Sequence, residues 1–196
     1  MNSAEPIKKA TDLLKIKNYY KDICPNPRNE LLIILGLNTA LRISDILSLT
    51  WQDVYDFEHK EYRNRINIAE QKTGKTTQIY INQNVVEALK KYKIYLKEKK
   101  KSPQKDSYLF AHSNKNIPIS RVQAFRLIKD AAEYYDISGV ISCHSLRKTF
   151  GYHAWKQGAS PVILVEVFNH SSYQVTKRYL GIEQEDKDKI FRKIKL

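Results

Sequence analysis

One short stretch constrains the fold more than any other: from Leu31 to Leu37, every residue except Gly36 carries a large apolar side chain. The tripeptide Pro25-Asn26-Pro27 precedes it, in which Asn26 can cap a helix and Pro27 suits its first turn. A helix that is apolar on all sides must be covered by other elements. The sequence therefore predicts a central, buried helix with the rest of the chain packed around it.

Helical patterns continue on both sides of this segment. Apolar residues recur near helical spacing from Ile7 to Ile23, from Ile43 to Leu49 and from Asn84 to Lys99. Ser120 and Gln123 form a capping-box pattern, and the stripe that follows it is expected to be buried. That stripe consists of Val122, Phe125, Ile128, Ala132 and Tyr135.

Three more helices are predicted in the last third of the chain. Ser142 can cap a helix that runs to Trp155 and closes at Gly158, and Ser160-Pro161 opens the next. A final amphipathic stretch, Glu183 to Leu196, can bury Ile190 and Ile194. Their apolar stripe, together with Phe191, is expected to dock on a neighbouring protomer or on its own domain.

The region from Trp51 to Ile81 has a different period. Ile66 and Ile68 alternate with polar neighbours, and a second alternating run follows the turn Lys72-Thr73-Gly74-Lys75. Two or three antiparallel strands are predicted here. The fold class is mainly α with a small antiparallel β-sheet (α+β), in a single domain spanning residues 1–196.

The charge balance indicates a polyanionic partner. With 34 Lys and Arg against 21 Asp and Glu, the net charge is +13, which is typical of nucleic-acid binding but also of a soluble, lysine-rich protein. Cys24 and Cys143 suggest no disulfide framework, and no zinc-like spacing is present, so no structural metal is expected. No signal-like or membrane-spanning run occurs, which fits the cytoplasm or a nucleus.

Several residues carry possible chemistry. Arg42 falls where one helix ends and another begins, and Asp45 lies three residues on, where it can hold the guanidinium. A purely structural Arg–Asp pair gives the same pattern. Lys72 begins the predicted turn, where an ammonium can reach a DNA groove, although a lysine in such a turn is usually only solvated.

The second half of the chain contributes the remaining candidates. His144 and Arg147 are three residues apart near a helix start, so they share a face at an end that favours phosphate. His170 lies at a helix end, and Tyr179 follows it by nine residues. Taken singly, each is also compatible with packing or with the surface.

In their order and spacing, these residues resemble the tyrosine recombinase (phage integrase) family. Arg42 lies in Thr-Ala-Leu-Arg-Ile-Ser-Asp, which resembles the family's first arginine motif, often with glycine where Ala40 stands. The run His-Ser-Leu-Arg resembles the second motif. The family usually has Leu-Gly-His where this chain has Phe168-Asn169-His170, and Asn tolerates the positive φ expected there.

The resemblance implies a catalytic domain that breaks and rejoins DNA by two transesterifications, without metal, ATP or other cofactor. Tyr179 would be the nucleophile, forming a 3′-phosphotyrosine. Arg42, Arg147 and His170 would stabilise charge on the phosphorus centre. His144 would accept a proton, and Lys72, which aligns better than Lys75, would protonate the leaving 5′-oxygen.

The resemblance also sets expectations about context. Partners would be double-stranded DNA, a tetramer of the protein in the synapse, possible accessory DNA-bending proteins, and no membrane. The location would be the cytoplasm, on nucleoid DNA, for a bacterial, phage or mobile-element protein. No separate N-terminal core-binding domain fits before Arg42, so the chain is either trimmed or naturally short, like recombinases that invert fimbrial promoters.

Two other classes stay open at this point. A type IB topoisomerase has a similar active site, although it usually carries a basic residue other than histidine where His144 stands. A non-enzymatic DNA-binding module would explain the charge but not the ordered motif residues.

Overall fold

The computed structural model describes residues 4–69, 71, 74–182 and 184–194, with the side chains of 184, 185, 187, 189 and 190 excepted. Helices dominate the described part of the chain. The helices are α1 (Ala10–Asn18), α2 (Pro27–Asn38), α3 (Ile43–Ser48), α4 (Trp51–Val54), α5 (Gln83–Glu98), α6 (Arg121–Tyr134), α7 (Cys143–Lys156), α8 (Pro161–Phe168), α9 (Tyr173–Leu180) and α10 (Gln184–Lys193). A π-helical turn, Tyr19–Ile23, extends α1.

Helix α2 lies at the centre of the molecule, as predicted. Asn26 caps it, its Oδ1 accepting a hydrogen bond from the backbone N–H of Asn29 at 3.2 Å, and Pro27 occupies the first turn. All residues from Leu31 to Leu37 are buried. A Cβ on Gly36 would meet Leu146 at 2.6 Å, so the glycine permits close contact between α2 and α7.

The described residues also form three antiparallel two-stranded sheets. They are β1 (Tyr55–Asp56) with β2 (Glu61–Tyr62), β3 (Arg65–Ala69) with β4 (Thr76–Tyr80), and β5 (Ala111–His112) with β6 (Lys115–Pro118). The register of β3 and β4 pairs Arg65 with Tyr80 and Ala69 with Thr76. The predicted α+β class is therefore confirmed, and the hairpin β5–β6 is an addition that no periodic pattern indicated.

Two predicted helices differ from the structure in detail. Helix α1 begins at Ala10 rather than Ile7, because residues 4–8 run extended across α7. In α6 the buried face consists of small and medium side chains: Ala124, Ile128, Ala131 and Ala132. Val122 and Phe125 were expected to be buried but are exposed by 58% and 39%, and Tyr135 is half-buried.

The extended segment before α1 is held by α7 at several points. The backbone N–H of Ile7 donates to Thr149 Oγ1 at 2.8 Å, and Lys148 Nζ donates to the carbonyl of Ala4 at 2.7 Å. Ile7 itself is buried, with its carbonyl 2.9 Å from His153 Nε2. The segment therefore fixes the outer side of the helix that carries the His-x-x-Arg motif.

Helix α10 begins on the same support. Asp186 is buried, accepts a hydrogen bond from the Tyr152 hydroxyl at 3.2 Å and lies 3.1 Å from Lys156 Nζ. Further along, Phe191 is 76% exposed and Ile194 is 56% exposed, contrary to the expected burial of Ile194, whereas the Ile190 side chain is outside the described part. No helix in the described ranges is long and apolar enough to cross a membrane.

Candidate active site

Arg147 is the centre of the site. Its side chain is only 3% exposed. The guanidinium donates to the carbonyl of Ala40 through Nη1 and to the carbonyl of Phe168 through Nη2, the latter at 3.0 Å. It also lies 4.9 Å from the centre of the Phe168 ring. One buried cation thus joins α7 to the loop before α3 and to the end of α8.

Both segments that offer these carbonyls have a residue in the left-handed region. Ala40 has a φ of 55°, and Asn169, directly after Phe168, also has a φ of 55°. A non-glycine residue there costs about 1–2 kcal/mol, less for asparagine. The expectation that Asn169 replaces glycine in a left-handed helix end is confirmed. The backbone bend at Ala40 has the same conformation.

Tyr179 projects from α9 into this cluster. Its ring centre lies 5.3 Å from that of Phe168 and 4.9 Å from that of His170. Burial raises the pKa of the Tyr179 hydroxyl above its usual value, whereas the charge of Arg147, a hydrogen bond from Arg147 and the charge of Arg42 act in the opposite direction. The two guanidiniums thus oppose the effect of burial without reversing it, so the phenol still needs a base to accept its proton when it attacks.

His170 follows the left-handed residue and stacks on Phe168, with ring centres 5.4 Å apart. Its Nδ1 lies 3.0 Å from the hydroxyl of Thr176, which is fully buried in α9. Desolvation lowers the pKa of His170, and the charges of Arg147 and Arg42 lower it further. A neutral imidazole is therefore favoured near pH 7, with Nδ1 engaged and Nε2 left for other groups.

His144 is the second residue of α7, and its ring reaches solvent. Desolvation by the surrounding protein lowers its pKa, and so do the charges of Arg147, Arg121, Lys148 and Arg42, in that order. A histidine with this environment is neutral at physiological pH and can accept a proton. Its place in the first turn, capped by Ser142, was expected from the sequence.

Arg42 occupies the N-cap position of α3, where its backbone is extended and its side chain is half-buried. The expected partner, Asp45, is completely buried, and its Oδ1 accepts a hydrogen bond from the backbone N–H of Gln71 at 3.0 Å. Among the described contacts of Asp45, no ion pair with Arg42 occurs. Asp45 instead holds the end of the β3–β4 hairpin, which is a different supporting role from the predicted one.

Lys72 lies outside the described residues, so its predicted place in the site stays a prediction. Its neighbour in the turn, Lys75, is described: Lys75 Nζ donates to Asn169 Oδ1 at 2.9 Å. Because Asn169 directly precedes His170, the turn of this hairpin comes next to the cluster. Both ends of the hairpin turn are thus tied to motif segments, one through Asp45 and one through Asn169.

Two contributing residues were missed by reasoning from the sequence. Phe168 supplies the carbonyl for Arg147 and the ring on which His170 and Tyr179 pack. Lys148 places its ammonium 5.0 Å from the centre of the Tyr179 ring while binding the Ala4 carbonyl. Only a contact between distant parts of the chain reveals either role, although Phe168 directly precedes a motif residue.

The structure therefore brings Arg42, His144, His170 and Tyr179 together around the buried guanidinium of Arg147, through direct contact or through electrostatic interaction. Two guanidiniums can hold a phosphate, and two neutral imidazoles can accept or donate protons. A tyrosine between them can attack. In the described residues no group of three or more His, Cys, Asp or Glu side chains is placed to hold a metal ion.

Comparison with known proteins identifies the family of the chain. The sequence profile described as "Phage integrase family" matches residues 8–185. The chain belongs to the phage integrase family. It is 37% identical over 185 residues to the probable integrase/recombinase YoeC of Bacillus subtilis (strain 168), covering 94% of this chain and 93% of YoeC.

Other relatives of this integrase-family chain include a tyrosine recombinase and a regulatory protein of fimbriae. XerC of Thermodesulfovibrio yellowstonii is 26% identical over 80% of this chain and 50% of XerC. The type 1 fimbriae regulatory protein FimE of Escherichia coli (strain K12) is 28% identical over 78% of this chain and 73% of FimE. The family and the type of enzyme predicted from the motif residues are thereby confirmed.

Solved structures show the same fold. The XerA recombinase superposes with a TM-score of 0.75 at 16% identity, covering 98% of this chain and 66% of that one. The XerH recombinase bound to a palindromic difH substrate gives 0.76 at 18% identity, covering 97% and 53%. The chain thus spans two thirds or less of these longer recombinases, and the predicted catalytic-domain fold is confirmed.

Proposed function

We propose that this phage integrase family member is a site-specific DNA recombinase that cleaves and rejoins DNA through a 3′-phosphotyrosine, without metal or ATP. The observation that carries the proposal is that the Tyr179 ring packs against His170 and Phe168, while the charge of the buried Arg147 guanidinium acts to lower the pKa of its hydroxyl. A phenol held between a guanidinium and an imidazole is suited to attack a phosphodiester.

In the proposed first step, the Tyr179 oxygen attacks the phosphorus and the 5′-oxygen leaves. Arg42 and Arg147 bind the non-bridging oxygens, whose charge grows in the transition state. His170 adds a hydrogen bond through the ring nitrogen that Thr176 does not contact. His144, kept neutral by desolvation and neighbouring cations, accepts the phenolic proton, and Lys72 protonates the departing oxygen.

In the second step, a 5′-hydroxyl from a partner duplex attacks the phosphotyrosine and releases Tyr179. The phosphodiester is exchanged for a bond of nearly equal energy and then restored, which is why the proposed cycle requires no ATP. The same groups serve in reverse: Lys72 accepts the proton of the incoming hydroxyl, and His144 returns one to the tyrosine.

The proposal includes the partners and setting. The substrate is double-stranded DNA, for which the net charge of +13 supplies attraction. Several protomers, a tetramer in the synapse, act on two duplexes, with accessory DNA-bending proteins as possible partners. We place this activity in the bacterial cytoplasm, on the nucleoid or a mobile element, and assign residues 1–196 to one catalytic domain.

Self-association has support in the last helix. Asp186 docks the start of α10 on its own chain, whereas Phe191 and Ile194 stay exposed beyond it. This arrangement supports both alternatives for the tail. The start of the helix docks on its own domain, and the exposed apolar end can contact a neighbouring protomer. Deleting residues 183–196 should weaken assembly on DNA more than it lowers monomer stability.

Covalent trapping tests the proposal. The full chain is incubated with a nicked duplex from which the cleaved end can diffuse away, and SDS-stable protein–DNA adducts are measured. Tyr179→Phe should remove every adduct while leaving DNA binding nearly unchanged. The matched control is Tyr173→Phe, at a tyrosine of the same helix that is 41% exposed. Adducts retained by Tyr179→Phe but lost in Tyr173→Phe would refute the assignment.

A second assay separates the recombinase from a topoisomerase. The same preparation is given supercoiled plasmid in one reaction and two duplexes bearing a recombination site in another. Exchange of strands between duplexes supports the proposal, whereas relaxation of supercoils without any exchange assigns the same adduct chemistry to a topoisomerase.

A further inference from the structure

Away from the residues around Arg147, a cleft of about 860 Å³ opens between α5, the β5–β6 hairpin and α6. Its volume lies within the range of about 300–1,000 Å³ that is usual for small-molecule sites. None of the candidate catalytic residues lines it. The cleft therefore has the dimensions of a ligand site that the proposed recombination chemistry does not use.

The charge of this cleft is one-sided. Among the lining residues that the structure describes, five are cationic and none is Asp or Glu: Arg28, Lys99, Lys101, Lys115 and Arg126. Cations that converge on a concave surface repel one another and focus a positive potential. Such an arrangement is stabilised by an anion, so charge complementarity selects an anionic ligand.

Part of this cationic lining is fixed by hydrogen bonds to the backbone. Arg28 Nη1 donates to the carbonyl of Ala111 at 3.0 Å, and its Nε and Nη2 contact Asn29 Oδ1. Lys101 Nζ donates to the carbonyl of Ser113. These contacts tie α2 and the loop after α5 to the β5–β6 hairpin, so the walls are positioned before a ligand arrives.

Aromatic rings supply the rest of the cleft. Trp51 stacks on Tyr92 with ring centres 5.8 Å apart, and both are buried at its floor. Burial raises the pKa of the Tyr92 hydroxyl to about 12, so it stays protonated and adds no negative charge. Tyr95 and Tyr108 are half-buried and line the cleft above them. Half-exposed rings beside cations suit a ligand that has both a flat ring and an anionic group.

We propose that this cleft binds a nucleotide unit, with its base against Tyr95 and its phosphate held by Arg126 and the neighbouring cations. Two sources present this chemistry: a free nucleoside monophosphate, and an unpaired nucleotide of a DNA strand. The inference goes beyond the proposed recombinase activity and does not depend on it, since no candidate catalytic residue takes part.

Isothermal titration calorimetry on the full chain tests the site with three probes: AMP, inorganic phosphate and a short single-stranded thymidine oligonucleotide. AMP or the oligonucleotide should bind at least about tenfold more tightly than phosphate, because stacking adds to charge. Arg126→Ala and Tyr95→Ala should each weaken that binding about tenfold or more, as expected for losing a charge-assisted hydrogen bond or a stacking partner.

Lys129→Ala is the matched control, because it removes the same charge from the same helix. Lys129 is half-exposed, pairs with Glu133 at 3.2 Å and does not line the cleft, so its removal should leave binding unchanged. AMP binding without oligonucleotide binding identifies the free nucleotide as the ligand, and the reverse identifies the strand. No binding of either, equal binding of phosphate, or equal weakening by Lys129→Ala would overturn the proposal.

Discussion

Two regions flank the same site: the corner formed by α7, α8 and α9, and the β3–β4 hairpin. They differ in how deeply the groups that attach them to the rest of the molecule are buried. In the corner, Arg147 is buried and spans two backbone carbonyls, and Phe168 is buried beneath the neighbouring rings. In the strands of the hairpin, alternate side chains are exposed, and among residues 65–69 and 76–80 only Ile66 is fully buried. The described residues of its turn reach the rest of the site through polar contacts, among them Gln71 with Asp45 and Lys75 with Asn169.

This contrast matches what each side would have to do. Groups that stabilise developing charge are effective when they are preorganised and do not move during the reaction. A proton donor on a surface hairpin with few buried apolar contacts can be repositioned at low free-energy cost when DNA arrives. We therefore expect substitutions in the corner to impair folding and chemistry together, and replacement of the proposed proton donor in the hairpin turn to impair chemistry alone.

The largest combined effect is expected for Arg147→Lys. The lysine keeps the charge but cannot serve both carbonyls, so unfolding free energy should fall by about 2–4 kcal/mol. Adduct formation should slow by about 10²–10³-fold or more. Urea unfolding and single-turnover trapping measure the two quantities. Arg178→Lys, at an exposed arginine beside Tyr179, is the control; a stable but inactive Arg147→Lys protein would break the comparison.

Lys72→Ala should show the opposite combination. Cleavage of ordinary DNA should slow by roughly 10²–10⁴-fold because the variant lacks the proposed general acid, with little change in the urea midpoint. On a substrate with sulfur at the 5′-bridging position, the same variant should cleave nearly as fast as the unmodified protein, because a thiolate leaves without protonation. Rescue of Lys75→Ala rather than Lys72→Ala would assign the acid to Lys75.

Gly151→Ala and Gly74→Ala compare the two regions by packing alone. A Cβ on Gly151 would lie 2.4 Å from Leu180 and 2.5 Å from Phe168, so α7 must shift and about 1–3 kcal/mol should be lost. A Cβ on Gly74 meets nothing within 4 Å among the described residues, and its φ of 69° should cost only about 1 kcal/mol. Thermal unfolding distinguishes them. Only Gly151→Ala should also slow adduct formation.

The smallest effect is expected for Arg121→Gln. Arg121 is one of the cations that lower the pKa of His144, so its removal should let that pKa rise. A base with a higher pKa is protonated sooner as the pH falls, and the acid limb of the pH–rate profile should move to higher pH. Arg178→Gln serves as the control, and an unshifted limb would show that Arg121 does not act on His144 as the proposed base.

The same histidines make stability depend on pH. Because the folded-state pKa values of His144 and His170 lie below the usual value of about 6.5, the unfolded chain binds more protons as the pH falls through that value. Stability should therefore be full above about pH 6.5 and decline below it. Urea unfolding between pH 7.5 and 5.5 measures the trend, which His170→Gln should reduce.

Features governed by local chemistry were predictable from the sequence. Asn26 caps α2, Ser120 and Gln123 form the capping box of α6, and Asn169 takes the left-handed conformation. In each case the signal and the structure it produces lie within a few residues. The alternation of apolar and polar residues around Ile66 likewise predicted strands, because successive side chains of a strand point to opposite faces, one buried and one exposed.

Features decided by distant contacts were not predictable in this way. In α6 the large apolar residues Val122 and Phe125 were expected inside, yet the helix packs through Ala124 and Ala131, whose small side chains allow close approach. The role of Lys148 depends on Ala4, which lies 144 positions away in the chain. The spacing of apolar residues within a helix does not indicate which other element of the fold the helix will pack against.

The two backbone carbonyls that hold Arg147 have a consequence for a newly made chain. The Ala40 loop is synthesised early and the Phe168 turn late, and the guanidinium joins both only once α8 has docked. A half-folded copy would still adhere to DNA through its net positive charge but would lack the assembled groups that cut. Under the proposed function, completion of the fold thus acts as a safeguard for the genome, since a misassembled protein would bind DNA without breaking it.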